Sequence, residues 1–210
     1  MPATGPNGSS VISRLSSGRS AISAAAKSFL AQLGEPLEIV LSDDASSDSS
    51  FADLQAVADA YRGPHQMRAR RNPVNLGIGA NYNRLMLETS GTLIVTAAGD
   101  DLSVPQRVQR LAQCWDASNQ CADLITSDCI EWLHDGTLGA YIKNDNLAAV
   151  TLERWSRREP FSVGATHAFT RRVMRRFGPF IDDVWYEYRI MVLRAITSGG
   201  ALTIAEPLVH

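Results

Sequence analysis

Cysteine is scarce in this sequence, and the little there is carries no motif. Cys114, Cys121 and Cys129 are the only three, an odd number without C-x-x-C spacing. That excludes a disulfide framework and argues against a thiolate zinc site, leaving small apolar side chains in a reducing compartment. Long apolar runs are lacking too: none approaches the roughly 18 residues a membrane span requires. Residues 1–20 contain Arg14 and Arg19 but no apolar core of a secretory leader, so the expected location is cytoplasmic. Nor does charge of one sign dominate. Lys and Arg number 20 against 22 Asp and Glu, a net −2, so there is no overall basic field to draw in nucleic acid.

What is present is the composition of one globular domain: 210 residues, 45% hydrophobic and 20% charged. Residues 1–19 are rich in Gly, Ser and Pro and read as a flexible segment. From residue 20 onward strands and helices alternate. The runs 37–41 and 92–97 are short and apolar, with β-branched residues, and each ends in a pair of acids, Asp43-Asp44 and Asp100-Asp101. Helical periodicity marks 20–33, 51–61, 81–89 and 104–115, the last with Pro105 in its first turn. Alternation of this kind implies an α/β fold, a parallel sheet with helices on its faces. Ligands of such sheets bind outside the carboxyl ends of the strands, where both acidic pairs lie. The expected organisation is one domain over 20–210, with a nucleotide-binding half at 20–115 and an acceptor-side half at 116–210. The second half reads as a strand at 123–127, a hairpin about Asp135-Gly136, helices at 151–156, 171–177 and 188–198, and a final strand at 202–204.

Each chemical candidate has two readings. Asp100 and Asp101 suit a divalent cation, which takes oxygen ligands; Asp101 or Ser103, ahead of Pro105, equally suits a helix cap. Asp43 and Asp44 can accept from the N–H and O–H groups of a base and ribose, or build an Asx turn. Two arginine clusters, Arg68, Arg70, Arg71 and Arg171, Arg172, Arg175, Arg176, are either solvated faces or phosphate-facing. Trp115, Trp132, Trp155 and Trp185 read as core or groove aromatics, with Trp185, beside Glu187, the one placed for sugar stacking. His167 lies in an apolar stretch and reads as a satisfied buried histidine.

In order, the motifs are a strand ending Asp43-Asp44-x-Ser46, then Asn75-Leu76-Gly77, Asn83, a strand ending Gly99-Asp100-Asp101, and Pro105. Together with Phe177-Gly178-Pro179-Phe180, Glu187, Arg194-Ala195 and Glu206-Pro207-Leu208-Val209, this set resembles family 2 glycosyltransferases of the GT-A fold over about residues 20–210. The resemblance implies a Rossmann-like α/β/α sandwich with a mostly parallel central sheet. It implies inverting transfer of a sugar from a UDP-, GDP- or dTDP-sugar to a hydroxyl of a glycan or lipid-linked acceptor, as in polysaccharide biosynthesis. Asp43, Asp44, Arg71 (or Arg70), Asn75, Gly77 and Asp100 would line the nucleotide. Asp100 and Asp101 would hold Mg²⁺ or Mn²⁺ against the diphosphate, and Glu187 or Asp183 would take the acceptor proton.

The sequence departs from that family pattern at four places. The first strand, 8–17, is weak, Ala98 stands at the first acidic position of the metal turn, Tyr188 stands where an Asp is usual, and the chain stops at His210. These departures carry a second expectation, a non-catalytic or truncated relative with weak or no nucleotide binding. A third reading, a phospho-accepting receiver module, demands a late strand ending in Lys. Residues 202–204 lead instead into Ala205-Glu206-Pro207.

Overall fold

A computed structural model describes residues 9–15, 19–133 and 135–210. Its strands are β1 (Ser9–Leu15), β2 (Glu38–Asp43), β3 (Gln66–Arg71), β4 (Leu93–Ala98), β5 (Leu124–Trp132), β6 (Leu138–Ile142), β7 (Ala168–Thr170) and β8 (Ala201–Val209). The helices are α1 (Arg19–Leu30), α2 (Ser50–Ala60), α3 (Gly77–Glu88), α4 (Arg107–Ala117), α5 (Leu152–Arg157), α6 (Arg171–Phe177) and α7 (Glu187–Ile196).

Alternation along the strands decides the layering. Ile39 and Leu41 of β2 and Leu93, Val95 and Ala97 of β4 join one core, while Val40 and Ile94 join another. Ile22 and Phe29 of α1, Leu54 of α2 and Leu111 and Trp115 of α4 close the first. Leu85 of α3, Val173 of α6 and Met191 of α7 close the second. The result is the expected α/β/α sandwich.

The strand order is β3-β2-β1-β4-β7-β5-β6, with β8 pairing β5. The first four strands run parallel. β7 is antiparallel to both β4 and β5, β6 is antiparallel to β5, and β8 is parallel to it. The sheet is therefore mixed, which corrects the expectation of a mostly parallel one. The expected hairpin accounts for β6: the Leu133 amide donates to Thr137 at 2.9 Å, and Gly136 adopts φ 82°, a left-handed value open to glycine. The short β7 enters from the single turn of 3₁₀ helix at Gly164–Thr166 and wedges between β4 and β5. One sheet thus runs without a break from the first half of the chain into the second.

The first strand is the larger correction. Residues 1–19 read as flexible, and 8–17 as a poor strand, yet β1 occupies the middle of the parallel set. It pairs β2 from Ser10↔Glu38 to Leu15↔Asp43, and β4 from Ser9↔Leu93 to Arg14↔Ala98. A strand with neighbours on both sides is held by two ladders, and its own propensity matters little. The remainder of that expectation, 1–8 and 16–18, lies outside the described residues. From β1 the chain goes to β2 and β3 on one side, then returns to β4 on the other. The crevice at the carboxyl ends of β1 and β4 is thus a topological switch point, the usual ligand position in open α/β sheets.

Candidate functional site

Two strand ends flank that crevice. At the end of β2, Asp43 is fully buried, with 0% exposure. Its Oδ2 accepts from the Ser46 amide at 3.2 Å and pairs with Arg71 Nε at 3.1 Å, while its Oδ1 is buried with no hydrogen-bond partner among the described residues. Asp44 behaves differently. Its Oδ1 accepts from Asn72 Nδ2 at 2.6 Å and the Leu76 amide at 2.9 Å, and its Oδ2 from the Gly77 amide at 3.0 Å. Asn75 Oδ1 accepts from the same Gly77 amide at 3.0 Å, and Gly77 sits at φ 76°, a left-handed value that glycine adopts freely. Asp44, expected to face a nucleotide, therefore has both oxygens committed to fixing the loop of Asn75 and Gly77.

The two arginines of β3 divide in the same way. Arg70 bonds Ser42 Oγ at 2.7 Å and Asn72 Oδ1 at 2.6 Å, and its Nε pairs with Glu88 at 3.1 Å. Arg71 is half-exposed at the carboxyl edge, tied to Asp43 and to the Ser46 carbonyl, with its guanidinium 5.8 Å from the Phe51 ring centroid.

At the end of β4, Asp100 is exposed and Asp101 half-buried. Burial first, then the charge of Asp100, raises the Asp101 carboxyl to about 6, with Arg107 opposing. Arg107 is fully buried in α4. It donates to Ser103 Oγ at 2.9 Å, the Thr96 carbonyl at 2.8 Å and the Ala165 carbonyl at 2.6 Å, and burial lowers it to about 10. Ser103 is thereby engaged by Arg107, and the cap expected from Asp101 or Ser103 is not made. Gln106 stands at the cap position of α4 without a side-chain bond. The acidic turn is also stapled to the end of β8. The Leu102 amide donates to the His210 carbonyl at 2.6 Å, the His210 amide to Leu102 at 2.8 Å, and the Val104 amide to Leu208 at 3.1 Å. Among the described residues no three His, Cys, Asp or Glu side chains converge as a metal cluster. Asp100 and Asp101 together offer two carboxylates.

On the acceptor side, Glu187 opens α7 and lines a small cavity with Tyr82, Thr96, His167, Phe180 and Tyr188. Thr96 belongs to β4, so this cavity adjoins the strand that delivers Asp100. The Tyr188 ring lies edge-on to His167, centroids 6.5 Å apart, and the Arg189 guanidinium stands 5.9 Å from the Tyr188 centroid. His167 is a buried, satisfied histidine, as read from sequence: its ring pairs with Ser162 Oγ at 2.7 Å, and burial pushes it down to about 3. Asp183 is exposed, on the loop between α6 and α7. A groove of about 590 Å³ between α1 and α2 contains none of these residues.

Three polar residues of the site had no place in the sequence reading. Asn72 and Asn81 join the ends of β2 and β3 to α3: Asn81 Oδ1 accepts from Ser42 Oγ at 3.0 Å and Asn72 Nδ2 at 3.0 Å. Nothing local marks them. Arg107 did carry a signal. It shares a helical stripe with Leu111 and Trp115, all buried, and a charge on an apolar stripe demands buried partners. Two cysteines also differ from expectation, since Cys121 is exposed and Cys114 partly so, while Cys129 is buried.

Comparison with known proteins gives the arrangement its family. The chain is 30% identical over 84 residues to the putative glycosyltransferase EpsE of Bacillus subtilis, covering 40% of this chain and 30% of EpsE. S. aureus TarS 1-349, solved in complex with UDP-GlcNAc, superposes with a TM-score of 0.73 at 15% identity, over 96% of this chain and 57% of that one. The mannosyltransferase PcManGT from Pyrobaculum calidifontis, solved with GDP-Man and Mn²⁺, gives a TM-score of 0.70 at 17% identity, over 94% of this chain and 55% of that one. The chain thus spans less than two thirds of each of these relatives, and at such identities the two structures establish the GT-A fold alone. The model of glycosyl transferase family 2 matches residues 17–177, and the chain belongs to that family.

Proposed function

We propose that this chain binds the nucleoside diphosphate of an activated sugar at the switch point between β1 and β4, and transfers the sugar to an acceptor hydroxyl. The observation that carries the reading is Asp43 Oδ1, a buried carboxylate oxygen without a partner at that crevice. An orphan acceptor of this kind is costly unless a ligand donor satisfies it, and the ring N–H of a base is such a donor. Arg71, beside Asp43, and the loop held by Asp44 line the same end. The UDP-GlcNAc bound by TarS and the GDP-Man bound by PcManGT support a nucleotide-sugar donor.

Asp100 and Asp101 fit a divalent cation by the chemistry of their donors. Two adjacent carboxylates, one already raised to about 6 by burial and its neighbour's charge, crowd negative charge that a cation relieves. Bound there, Mg²⁺ or Mn²⁺ supplies Lewis-acid neutralisation of the leaving diphosphate. Glu187, at the positive end of α7, is the carboxylate assigned to take the acceptor proton, with Asp183 on the preceding loop as the alternative. A single in-line displacement inverts the anomeric centre. A lipid-linked or glycan acceptor reaches this edge from the side of α7.

One observation favours a second reading. Tyr188, where the family pattern expects an acid, is a phenol with the Arg189 guanidinium 5.9 Å from its ring centroid, and a chain without a working base binds the donor weakly or not at all and does not turn it over. Calorimetric titration with UDP, GDP and dTDP, with and without Mn²⁺, followed by assay of nucleoside diphosphate release, separates the two. Metal-dependent binding of one nucleotide, abolished by Asp100→Ala and followed by turnover that Glu187→Gln removes, is the expected result. Binding without turnover selects the non-catalytic reading, and no binding by the folded chain overturns the transfer reading and leaves the non-catalytic one standing.

A further inference from the structure

The loop over residues 178–186, between α6 and α7, carries two kinds of apolar side chain. Phe180 and Val184 are buried, whereas Ile181 and Trp185 are 72% and 78% exposed. The exposure is not slackness, because the loop is tied down along its length. Asn83 of α3 clamps Phe180 from both sides: its Nδ2 donates to the Phe180 carbonyl at 2.8 Å, and its Oδ1 accepts from the Phe180 amide at 2.8 Å. Arg194 donates to the Gly178 carbonyl at 2.9 Å and the Pro179 carbonyl at 3.1 Å, with its guanidinium 4.8 Å from the Phe180 centroid. Gly79 of α3 lets the loop approach so closely that a Cβ there would stand 2.6 Å from the Ile181 carbonyl and 2.5 Å from Val184 Cγ1. Beyond Trp185, the Tyr186 ring is held under Arg189 at 4.6 Å. An indole is presented to solvent on a fixed mount, two residues before the carboxylate of Glu187.

We infer that the Trp185 indole is the platform on which the pyranose ring of the acceptor stacks. The inference rests on the proposed transfer function and names the part of that site which takes the acceptor. A pyranose has an apolar face of C–H groups and a rim of hydroxyls. An exposed aromatic carried on a braced loop takes the face with little backbone ordering left to be done and leaves the rim free. Two residues of chain put the Cα atoms of Trp185 and Glu187 at most about 7 Å apart, the scale of one sugar ring, and that closeness is the ground for seating the acceptor beside Glu187. Asn83 is then a positioning residue, acting on the acceptor through the loop it clamps.

The test reads the indole directly, without a donor. The chain labelled with ¹⁵N-tryptophan gives one indole N–H resonance for each of Trp115, Trp132, Trp155 and Trp185, with Trp185→Phe assigning the last. Methyl glycosides of glucose, galactose, mannose and N-acetylglucosamine are added at millimolar concentration, with glycerol as control. At least one glycoside is expected to move the Trp185 resonance and leave the buried Trp115 resonance in place. Asn83→Ala is expected to weaken that response while nucleotide affinity holds. In transfer assays Trp185→Ala is expected to lower turnover at limiting acceptor about tenfold, through KM, with nucleotide affinity unchanged. A Trp185 resonance indifferent to every glycoside overturns the inference, even if the nucleotide binds and the proposed function stands. A Trp185 that responds in a chain that binds no nucleotide leaves the sugar platform supported and sinks the transfer function.

Discussion

Asp43 and Asp44 are adjacent, carry the same side chain and are both buried, yet the fold gives them different work. The difference lies in which oxygens remain. Asp44 accepts from Asn72, Leu76 and Gly77, and Asp43 keeps one oxygen unpartnered. Asp44→Ala therefore removes an acceptor from three donors and strands the Leu76 amide outright, since Gly77 keeps Asn75 and Asn72 keeps Asn81. The expected cost is about 2 kcal/mol in urea denaturation, with nucleotide binding lost as well, because a part-buried donor left without its acceptor forfeits its desolvation. A loss under about 0.5 kcal/mol is the value for an ordinary surface change and refutes the assignment. Asp101 makes a different prediction. Its carboxyl titrates near 6 in the folded chain against an ordinary 3.8, so the folded state holds the proton longer than the unfolded one. Stability is then lost as pH rises from about 4 to about 6, and the penalty is complete above that window, at no more than about 3 kcal/mol. Asp101→Asn removes it. The variant should melt several degrees above the parent at pH 8 and level with it at pH 4, by calorimetry in the absence of divalent ions. An equal offset at both pH values excludes the carboxyl as the cause.

Among the elements, β1 carries the most weight per residue. Among the described residues it is the only strand flanked on both sides by parallel partners that carry candidate site residues, Asp43 at the end of β2 and Asp100 just beyond β4. Val11→Pro, at the position paired with Ile39 and Val95, removes an N–H from the interior of the sheet and should cost about 3 kcal/mol or more. The expected readout is loss of cooperative melting by circular dichroism, and a variant that melts like the parent would show that β1 is dispensable. The same strand marks the limit of what a sequence displays. β2 and β4 are legible because β-branched residues crowd into short runs that end in acid. SSVISRL has only Val11 and Ile12 of that kind, and its pairing partners lie about 28 and 84 residues away. α3 was legible except at its start. Gly77 and Gly79 argue against helix on propensity, but Gly77 takes φ 76°, and Gly79 must be bare for the loop carrying Ile181 and Val184. α6 was legible to the residue. Its Thr170 cap bonds the Val173 amide at 3.3 Å, and Gly178 ends it at φ 78°. The paired acids mark the candidate site at two strand ends. Of the partners that decide their roles, Arg107 is legible as a charge on an apolar stripe, while Asn72 and Asn81 act through long-range contacts that no local pattern records.

For the molecule as a whole, the question is whether the two halves read from sequence are two folding units. β7, from the second half, lies between β4 and β5, and β8 returns to pair β5 while its last residues bond Leu102 and Val104 beside the acidic turn. The second core likewise draws Val40 and Ile94 from the first half and Phe169, Met191 and Ala201 from the second. Neither half can close its core alone. At this length populated intermediates are common, so a single transition is a demanding expectation. Trp115 lies in the first core and Trp155 packs against the second, so single-tryptophan variants report on the two faces of the sheet separately. Both should unfold in urea at one midpoint, coincident with circular dichroism. Separate midpoints would mean that the strand insertion couples the halves too weakly to make them one unit. The acidic turn, held from the far end of the chain, would then be free to open before the turn at the end of β2 does.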